Sequence, residues 1–277
     1  MPPIVLPVAE YLPDMPDFPA NGSANILNVA RRTQASYGPI NSPSAYSGAL
    51  DNRCQGAAGF IDKNLDITLI AGDANKLYRL TAGGNSWQDI SRASGGAYTI
   101  GSDLQWEFEY FNGAVIATDY TDDIQTFDLV SGTNFAQLSP DAPRARHMAV
   151  VKNAFLVLGN TFDSTDGAAE QRVWWSAAGN AGSWPTPGSV TAAQLQSGFA
   201  DLFGNDGQIQ AIRSGIANAD AVIFKRYAVA TMMYAGPPTD FSFLPAQGLR
   251  GTLSPYGPVV QGVVIYFPAF DGFYAFD

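Results

Sequence analysis

The sequence predicts an all-β protein of the β-propeller type, built from antiparallel blades. Turn-forming residues dominate: the 277 residues include 28 Gly, 18 Pro and 21 Asp, but only 4 Lys and 4 Glu. Gly, Pro and Asp serve turns, whereas Lys and Glu serve helix surfaces. A pattern of short apolar runs, a turn and an aromatic strand also recurs along the chain. A period of roughly 40–50 residues made of short strands is the signature of a propeller blade.

The pattern is clearest in Val222–Leu244, where two apolar runs are followed by a turn at Gly236–Pro238 and a closing strand at Asp240–Leu244. Runs rich in β-branched and aromatic residues, bounded by Gly, Pro and Asp, are typical of antiparallel strands. Each unit ends in a small or polar residue followed by an aromatic, and these aromatics are 48, 49 and 57 residues apart. They are Trp87, Phe135, Trp184 and Phe241. Their equivalent positions predict packing between blades rather than stacking on sugars.

The repeat divides the chain into an extended, proline-rich arm and loop at 1–50 and a propeller-like body at 51–277. The predicted blades, of about 45–55 residues each, lie near 55–91, 105–139, 146–186, 208–244 and 257–277. Five apolar runs are expected to be equivalent, buried strands. They are Ile67–Ile70, Val115–Ala117, Phe155–Leu158, Val222–Phe224 and Val263–Tyr266.

Connections between these strands are also predicted. Asn112-Gly113 is the strongest hairpin signal, and Lys152-Asn153 is a second tight turn. Asn160–Gln171 is expected to form a long loop, and Ala192–Phe203 allows a short helix. The fifth blade lacks a closing aromatic strand before Asp277, so we expect that further residues, or otherwise the N-terminal segment, complete it.

The N-terminal arm is the least regular part. Met1–Pro19 carries six prolines, which fix φ and remove backbone donors, so we expect it to be ordered only through contact with a neighbouring subunit. Asn25–Arg32 allows a short helix, and Tyr37–Pro39 is typical of a loop.

Composition excludes several function classes. A net charge of −10 makes the chain a poor candidate for gripping phosphates, since that affinity comes largely from Lys and Arg. A single cysteine, Cys54, excludes an internal disulfide framework and a cysteine-based zinc site. No signal peptide is recognisable, and no apolar run approaches the ~18 residues that span a membrane.

Candidate chemical residues are few. His147 is the sole histidine, which disfavours a His-based metal site, so we predict a structural role. Glu107 and Glu109 alternate on one strand and share a face, so they either meet a ligand or lie on the exposed face of an outer strand. Two acidic loops lack the calcium-loop spacing and are predicted to be solvated turns. These loops contain Asp119, Asp122 and Asp123, and Asn160, Asp163 and Asp166. The sequence therefore predicts no catalytic, cofactor or metal site.

The order of several segments resembles virion proteins of tailed bacteriophages that build the tail hub or nozzle beneath the portal. The segments extend from about residue 10 to the end of the chain. They are Tyr11–Phe18, Tyr37–Pro39, Gly72-Asp73 with Lys76–Leu80, Pro143–Arg146, Val157–Asn160, Val222–Lys225 and Asp271–Asp277.

The resemblance implies a non-enzymatic structural protein of the virion, made in the host cytoplasm and arranged as a homo-oligomeric ring around the channel through which the genome leaves. Its implied partners are copies of itself, portal or adaptor and other tail proteins, and DNA passing without sequence-specific contact. The clusters Asp119–Asp123 and Asp163–Asp166 lie on loops that are free to face that channel, which should hold few basic side chains. The alternatives are a glycan-binding or glycan-cleaving propeller for host-surface recognition and a generic scaffold for peptides.

Overall fold

The computed structural model describes residues 10–11, 22–23, 28–33, 36–42, 44–216, 218–246 and 250–277. The chain divides into two compact units, Met1–Tyr46 and Ser47–Asp277. None of the helices in the described ranges is long and apolar enough to cross a membrane.

Within its described residues, the first unit contains two small sheets. Strands β1 (Glu10–Tyr11) and β2 (Gly22–Ser23) pair in parallel, and β3 (Val29–Thr33) pairs with β4 (Ser36–Pro39) in an antiparallel hairpin. The helix expected at Asn25–Arg32 is therefore wrong over its described residues, since Asn28 adopts φ 57, which a right-handed helix does not accept. The loop expected at Tyr37–Pro39 is also wrong, because hairpin pairing extends it. Apart from Glu10 and Tyr11, the predicted arm lies outside the described residues.

The second unit consists of five antiparallel sheets in a propeller arrangement, as predicted. The first blade contains β5 (Gly56–Ile61), β6 (Ile67–Gly72), β7 (Leu77–Leu80) and β8 (Trp87–Asp89). The second contains β9 (Glu107–Phe111), β10 (Ala114–Thr118), β11 (Gln125–Asp128) and β12 (Ala136–Gln137). The third contains β13 (Arg144–Val151), β14 (Phe155–Asp163), β15 (Gly167–Trp175) and β16 (Gly198–Asp201). The fourth contains β17 (Ile209–Ser214), β18 (Ala221–Lys225), β19 (Val229–Gly236) and β20 (Asp240–Pro245). The fifth contains β21 (Val259–Gln261), β22 (Val264–Ala269) and β23 (Gly272–Phe276).

The first strand of each of the first four blades lies innermost. β5 contacts β9, β9 contacts β13, and β13 contacts β17, so these strands surround the propeller axis. Blades approach closely here: a Cβ added to Gly159 of β14 would lie 2.6 Å from Cδ1 of Ile212 in β17. β9 is therefore an inner strand, and the interpretation of Glu107 and Glu109 as residues on the exposed face of an outer strand is wrong.

Four apolar clusters fill the junctions between consecutive blades. Among the described residues, none of these clusters joins the fifth blade to the first. The predicted buried runs are confirmed in the second, third and fourth blades, whose second strands are covered on both faces. In the terminal blades the prediction fails in part, because one face is uncovered. Ile67 is 72% exposed and Tyr266 50% exposed, whereas Ile70 and Ile265 are buried.

Both predicted tight turns are present. Asn112 and Gly113 connect β9 to β10 with φ 48 and 92, and Lys152 and Asn153 follow β13 with φ 53 at both positions. Positive φ at two consecutive residues gives the twist that two-residue hairpins favour, and Asn and Gly accept it most readily.

The third blade departs most from expectation. The predicted loop Asn160–Gln171 is instead the far end of the β14–β15 hairpin, with a register shift between Gly159 and Thr161. Helix α1 (Val190–Leu195) overlaps the region where a short helix was expected, and the side chain of its N-cap Ser189 accepts a hydrogen bond from the Ala192 amide at 3.1 Å. The closing strand is β16 with Phe199, so Trp184, which precedes the helix, is not the equivalent of the other closing aromatics.

Three of the four aromatics predicted to close a unit pack between blades, as predicted, although Trp184 does not lie on a closing strand. Phe135, Trp184 and Phe241 are buried in the clusters at successive blade junctions. Trp87 is only half-buried, and its indole N–H donates to Ser47 Oγ and to the Gly48 carbonyl, both at 3.0 Å. Ser47 and Gly48, in the segment after residue 46, thus contact Trp87 at the position where the equivalent aromatics of later blades meet the blade before them.

Candidate functional site

The candidate site is a group of charged and aromatic side chains at the propeller axis. Glu107 begins β9, and its Oε1 lies 3.1 Å from Arg213 Nη1 on β17 and 3.5 Å from His147 Nδ1 on β13. Its Oε2 accepts a hydrogen bond of 2.9 Å from the Met148 amide. One carboxylate thus joins the inner strands of the second, third and fourth blades.

Arg213 is held from several sides. Its Nε donates to the Pro258 carbonyl at 2.8 Å, which adds the segment before the fifth blade to the same cluster. Its Nη1 also donates to the Ile212 carbonyl at 2.7 Å. Burial alone raises the pKa of a carboxyl, but the contacts of Glu107 with His147, Arg213 and the Met148 amide hold its pKa below the usual value. Glu107 is therefore ionised across the physiological range.

His147 is completely buried, and its ring lies 4.9 Å from that of Tyr256. Neither ring nitrogen has a hydrogen bond within the described part of the chain, since the 3.5 Å approach to Glu107 is not aligned for one. Burial lowers the pKa of His147 despite the nearby carboxylate. At neutral pH the imidazole is uncharged, and Arg213 supplies the positive charge beside Glu107.

Glu109 shares the face of Glu107 but not its partners. It makes no hydrogen bond or ion pair with any residue that the structure describes, and it lines an open cavity of about 230 Å³. Burial, and then the neighbouring charge of Glu107, raise the pKa of Glu109 to about 8, an effect that Arg213 only partly offsets. The two carboxyl groups, expected from sequence to share one face, thus differ sharply in protonation.

The first acidic loop is not solvated, contrary to prediction. Asp119 is 1% exposed, and its Oδ1 accepts hydrogen bonds from the amides of Thr121 and Asp122 at 2.9 and 2.8 Å. Burial raises the pKa of Asp119 to about 6. Asp122 pairs with Arg92 at 2.8 Å, and only Asp123 is exposed. The loop is held in place by its own carboxylates.

The second acidic segment is also structural. Asn160 is buried and donates to the Ile209 carbonyl at 3.3 Å, linking the third and fourth blades. Asp163 and Asp166 both approach Arg172, whose Nε lies 2.7 Å from Oδ1 of Asp201. The expectation that these loops are free to face a channel is therefore wrong for Asp119 and Asp122. No group of three or more His, Cys, Asp or Glu side chains within the described ranges could hold a metal ion.

Sequence reasoning identified Glu107, Glu109 and His147 but missed Arg213 and Tyr256. Arg213 carries a detectable signal, because it is a charged residue that follows Ile209–Ile212, a run in which Gln210 is the one polar residue. A charge in such a strand generally needs a partner, although the sequence does not say which residue it is.

The similarity of this chain to known proteins is weak. No protein family and no curated protein matches its sequence. The computationally designed Ika8 protein is 13% identical with a TM-score of 0.48, covering 79% of this chain and 57% of that one. This chain thus spans little more than half of that protein. The designed Ika4 protein is 11% identical with a TM-score of 0.38, and the match covers 74% of this chain and 99% of the Ika4 chain. Virginiamycin B lyase from Staphylococcus aureus is 13% identical with a TM-score of 0.39, and the match covers 87% of this chain and 83% of the lyase chain. These similarities are too weak to carry a functional argument.

Proposed function

We propose that this chain is a structural subunit of a tailed-bacteriophage virion, assembled into a homo-oligomeric ring of the tail hub or nozzle around the DNA exit channel. Its partners are other copies of itself, the portal or adaptor and neighbouring tail proteins, and the DNA passes without sequence-specific contact. The sequence resemblance supplies the phage context, and the surface of the propeller supports assembly.

The observation that carries the proposal is an exposed apolar face on each terminal blade. The first blade exposes Ile61 and Ile67, and the fifth exposes Val259, Tyr266 and Phe273, of which Phe273 is 91% exposed. Exposed apolar patches commonly mark interaction surfaces. Two different patches on one subunit suit a head-to-tail contact, which forms a ring where the rotation closes.

The axis of the propeller itself does not serve as the DNA channel in this proposal. Arg213 and Glu107 bridge the axis at 3.1 Å, and His147 is buried beside them. The lumen is therefore formed between subunits. The net charge of −10 suits a surface past which DNA slides, since few basic groups are available to hold it.

Sedimentation velocity and negative-stain imaging of the purified chain test the proposal. Rings or head-to-tail oligomers are expected for the native sequence, and Phe273→Asp should shift the population to monomers without lowering the melting temperature. Phe203→Asp is the matched control, because Phe203 is 82% exposed but lies outside both terminal faces. A native chain that stays monomeric at high concentration, or equal effects of the two variants, would refute the assembly.

The alternative is a glycan-binding or glycan-cleaving propeller. Cleavage would require two free carboxyl groups about 5–9.5 Å apart. Glu107 and Glu109 are the natural pair, but both oxygens of Glu107 are already engaged. We therefore propose a non-enzymatic role. Hydrolysis of a bacterial surface polysaccharide by the pure protein, lost in Glu107→Gln or Glu109→Gln, would defeat it.

A further inference from the structure

The cavity beside Glu109 has features of a small binding site that the structural role does not use. It is lined by residues of the first and second blades and by two side chains from further along the chain. Ala57 and Ala58 contribute from β5, and Trp106, Phe108 and Glu109 from the start of the second blade. Its volume of about 230 Å³ is below that of most drug-sized pockets but suits a single side chain or a small amine.

One of the charged side chains that line this cavity, Glu109, has no partner among the described residues. Glu107 and Arg213 also line it and form an ion pair with each other at 3.1 Å. His147 behind them is uncharged at neutral pH, and the guanidinium carbon of Arg146 lies 5.8 Å from the centre of the ring of Tyr256, which also lines the cavity. Glu109 is left as a half-buried carboxyl group with no partner in the described part of the chain.

We propose that this cavity binds an organic cation, a primary ammonium or guanidinium group, through the carboxylate of Glu109. Such a group donates charge-assisted hydrogen bonds to a carboxylate, which are about twice as strong as neutral ones. The walls contributed by Ala57, Ala58 and Phe108 suit the methylene groups that carry the charge. The cation belongs either to a free amine or to a Lys or Arg side chain of another protein.

Because the cation binds only the ionised form of Glu109, its binding should depend on pH. Burial raises the pKa of Glu109 to about 8, so most of the free protein is protonated there at pH 6. A cation binds the ionised form, so binding below pH 8 must release a proton. Affinity should therefore rise with pH, by up to about 100-fold between pH 6 and pH 9.

Calorimetric titration of the full chain with n-butylammonium and ethylguanidinium tests the proposal at pH 6, 7.5 and 9. Binding is expected to tighten with pH, and titrations in two buffers of different ionisation enthalpy should detect the released proton. These readouts need no variant. A lysine-containing acetylated peptide distinguishes a side chain from a free amine, because only a side-chain site should favour the peptide.

Glu109→Gln should abolish binding of both probes. Glu170→Gln is the matched control, since Glu170 is an exposed glutamate on β15, away from the cavity, and it should bind like the native chain. No binding of either probe at pH 9, affinity that does not rise with pH, or equal loss in the two variants would overturn the proposal. Cation binding does not depend on ring assembly in this proposal. It can therefore be measured in a variant that is expected to stay monomeric, such as Phe273→Asp.

Discussion

Arg213 and Glu107 meet at 3.1 Å across the propeller axis although 106 residues separate them in the chain. The contact joins the second blade to the fourth, and the Met148 amide of the third blade donates to the same carboxylate, beside which His147 is buried. The carboxylate of Glu107 therefore links three of the five blades.

Replacing Glu107 with Gln should destabilise the protein by about 3 kcal/mol, because it leaves the partly buried Arg213 without its counter-charge. Chemical denaturation at pH 7 measures the change. Glu109→Gln is the control on the same strand and should not destabilise, since its carboxyl has no partner to lose. Equal losses in the two variants would show that Glu107 matters only as a polar group on an inner strand.

Arg172→Lys should cost roughly 2 kcal/mol of the free energy of unfolding. The guanidinium binds both oxygens of Asp201, at 2.7 and 2.9 Å, contacts Asp166 and lies 3.9 Å from the Phe199 ring centre. An ammonium keeps the charge but not this fork of hydrogen bonds. Arg53→Lys is the control, with one exposed hydrogen bond to the Ser102 carbonyl. A change at position 172 as small as that at 53 would contradict the prediction.

Asp119 should make stability depend on pH. Burial raises its folded pKa from 3.8 to about 6, so between these values the folded state binds more protons than the unfolded state. Its contribution to stability therefore falls as pH rises from about 4 to about 6, by at most about 3 kcal/mol. Asp119→Asn should gain stability relative to the native chain over this interval, as measured by denaturation at pH 4, 5, 6 and 7. Asp123→Asn, the exposed control, should follow the native profile.

Assembly should survive added salt. Subunits of net charge −10 repel one another, and the proposed contacts are apolar, so screening should strengthen association or leave it unchanged. Sedimentation between low salt and roughly 0.5 M NaCl measures this. Rings that dissociate as salt rises would indicate that ion pairs hold them together.

Deleting residues 2–19 should leave the propeller folded and weaken assembly, because a proline-rich arm cannot satisfy its own backbone without a partner surface. Circular dichroism and sedimentation separate the two effects. An unchanged oligomeric state after the deletion would count against the role assigned to the arm.

The fold could be predicted because each blade repeats the same apolar runs and turn residues, as in Asn112-Gly113. The structure of the third blade could not be predicted in the same way. Its β14–β15 hairpin continues past Asn160, where the polar residues of the sequence suggest a loop. Its strand pairing there is supported by Arg172, whose partners lie on three different segments. Contacts between separate segments, such as those of Arg172, leave no recognisable pattern in the local sequence.

The candidate site was only partly predictable for the same reason. Alternation correctly placed Glu107 and Glu109 on one face, but the depth of β9 depends on which strand of the blade is innermost. The different environments of the two carboxyl groups follow from Arg213, whose proximity depends on how the second, third and fourth blades pack against one another.

The uncovered faces of the terminal blades also imply an order of local opening. Interior repeats are supported by neighbours on two sides and terminal repeats on one, so the array should fray from its ends. In native-state hydrogen exchange of the isolated subunit, amides of β6 and β22 should exchange through low-energy openings. Those of β14 and β18, whose side chains are almost wholly buried, should exchange only on global unfolding. Docking of a neighbouring copy would then slow exchange first at the two ends, and so make the exposed blades the part of the molecule that assembly rigidifies.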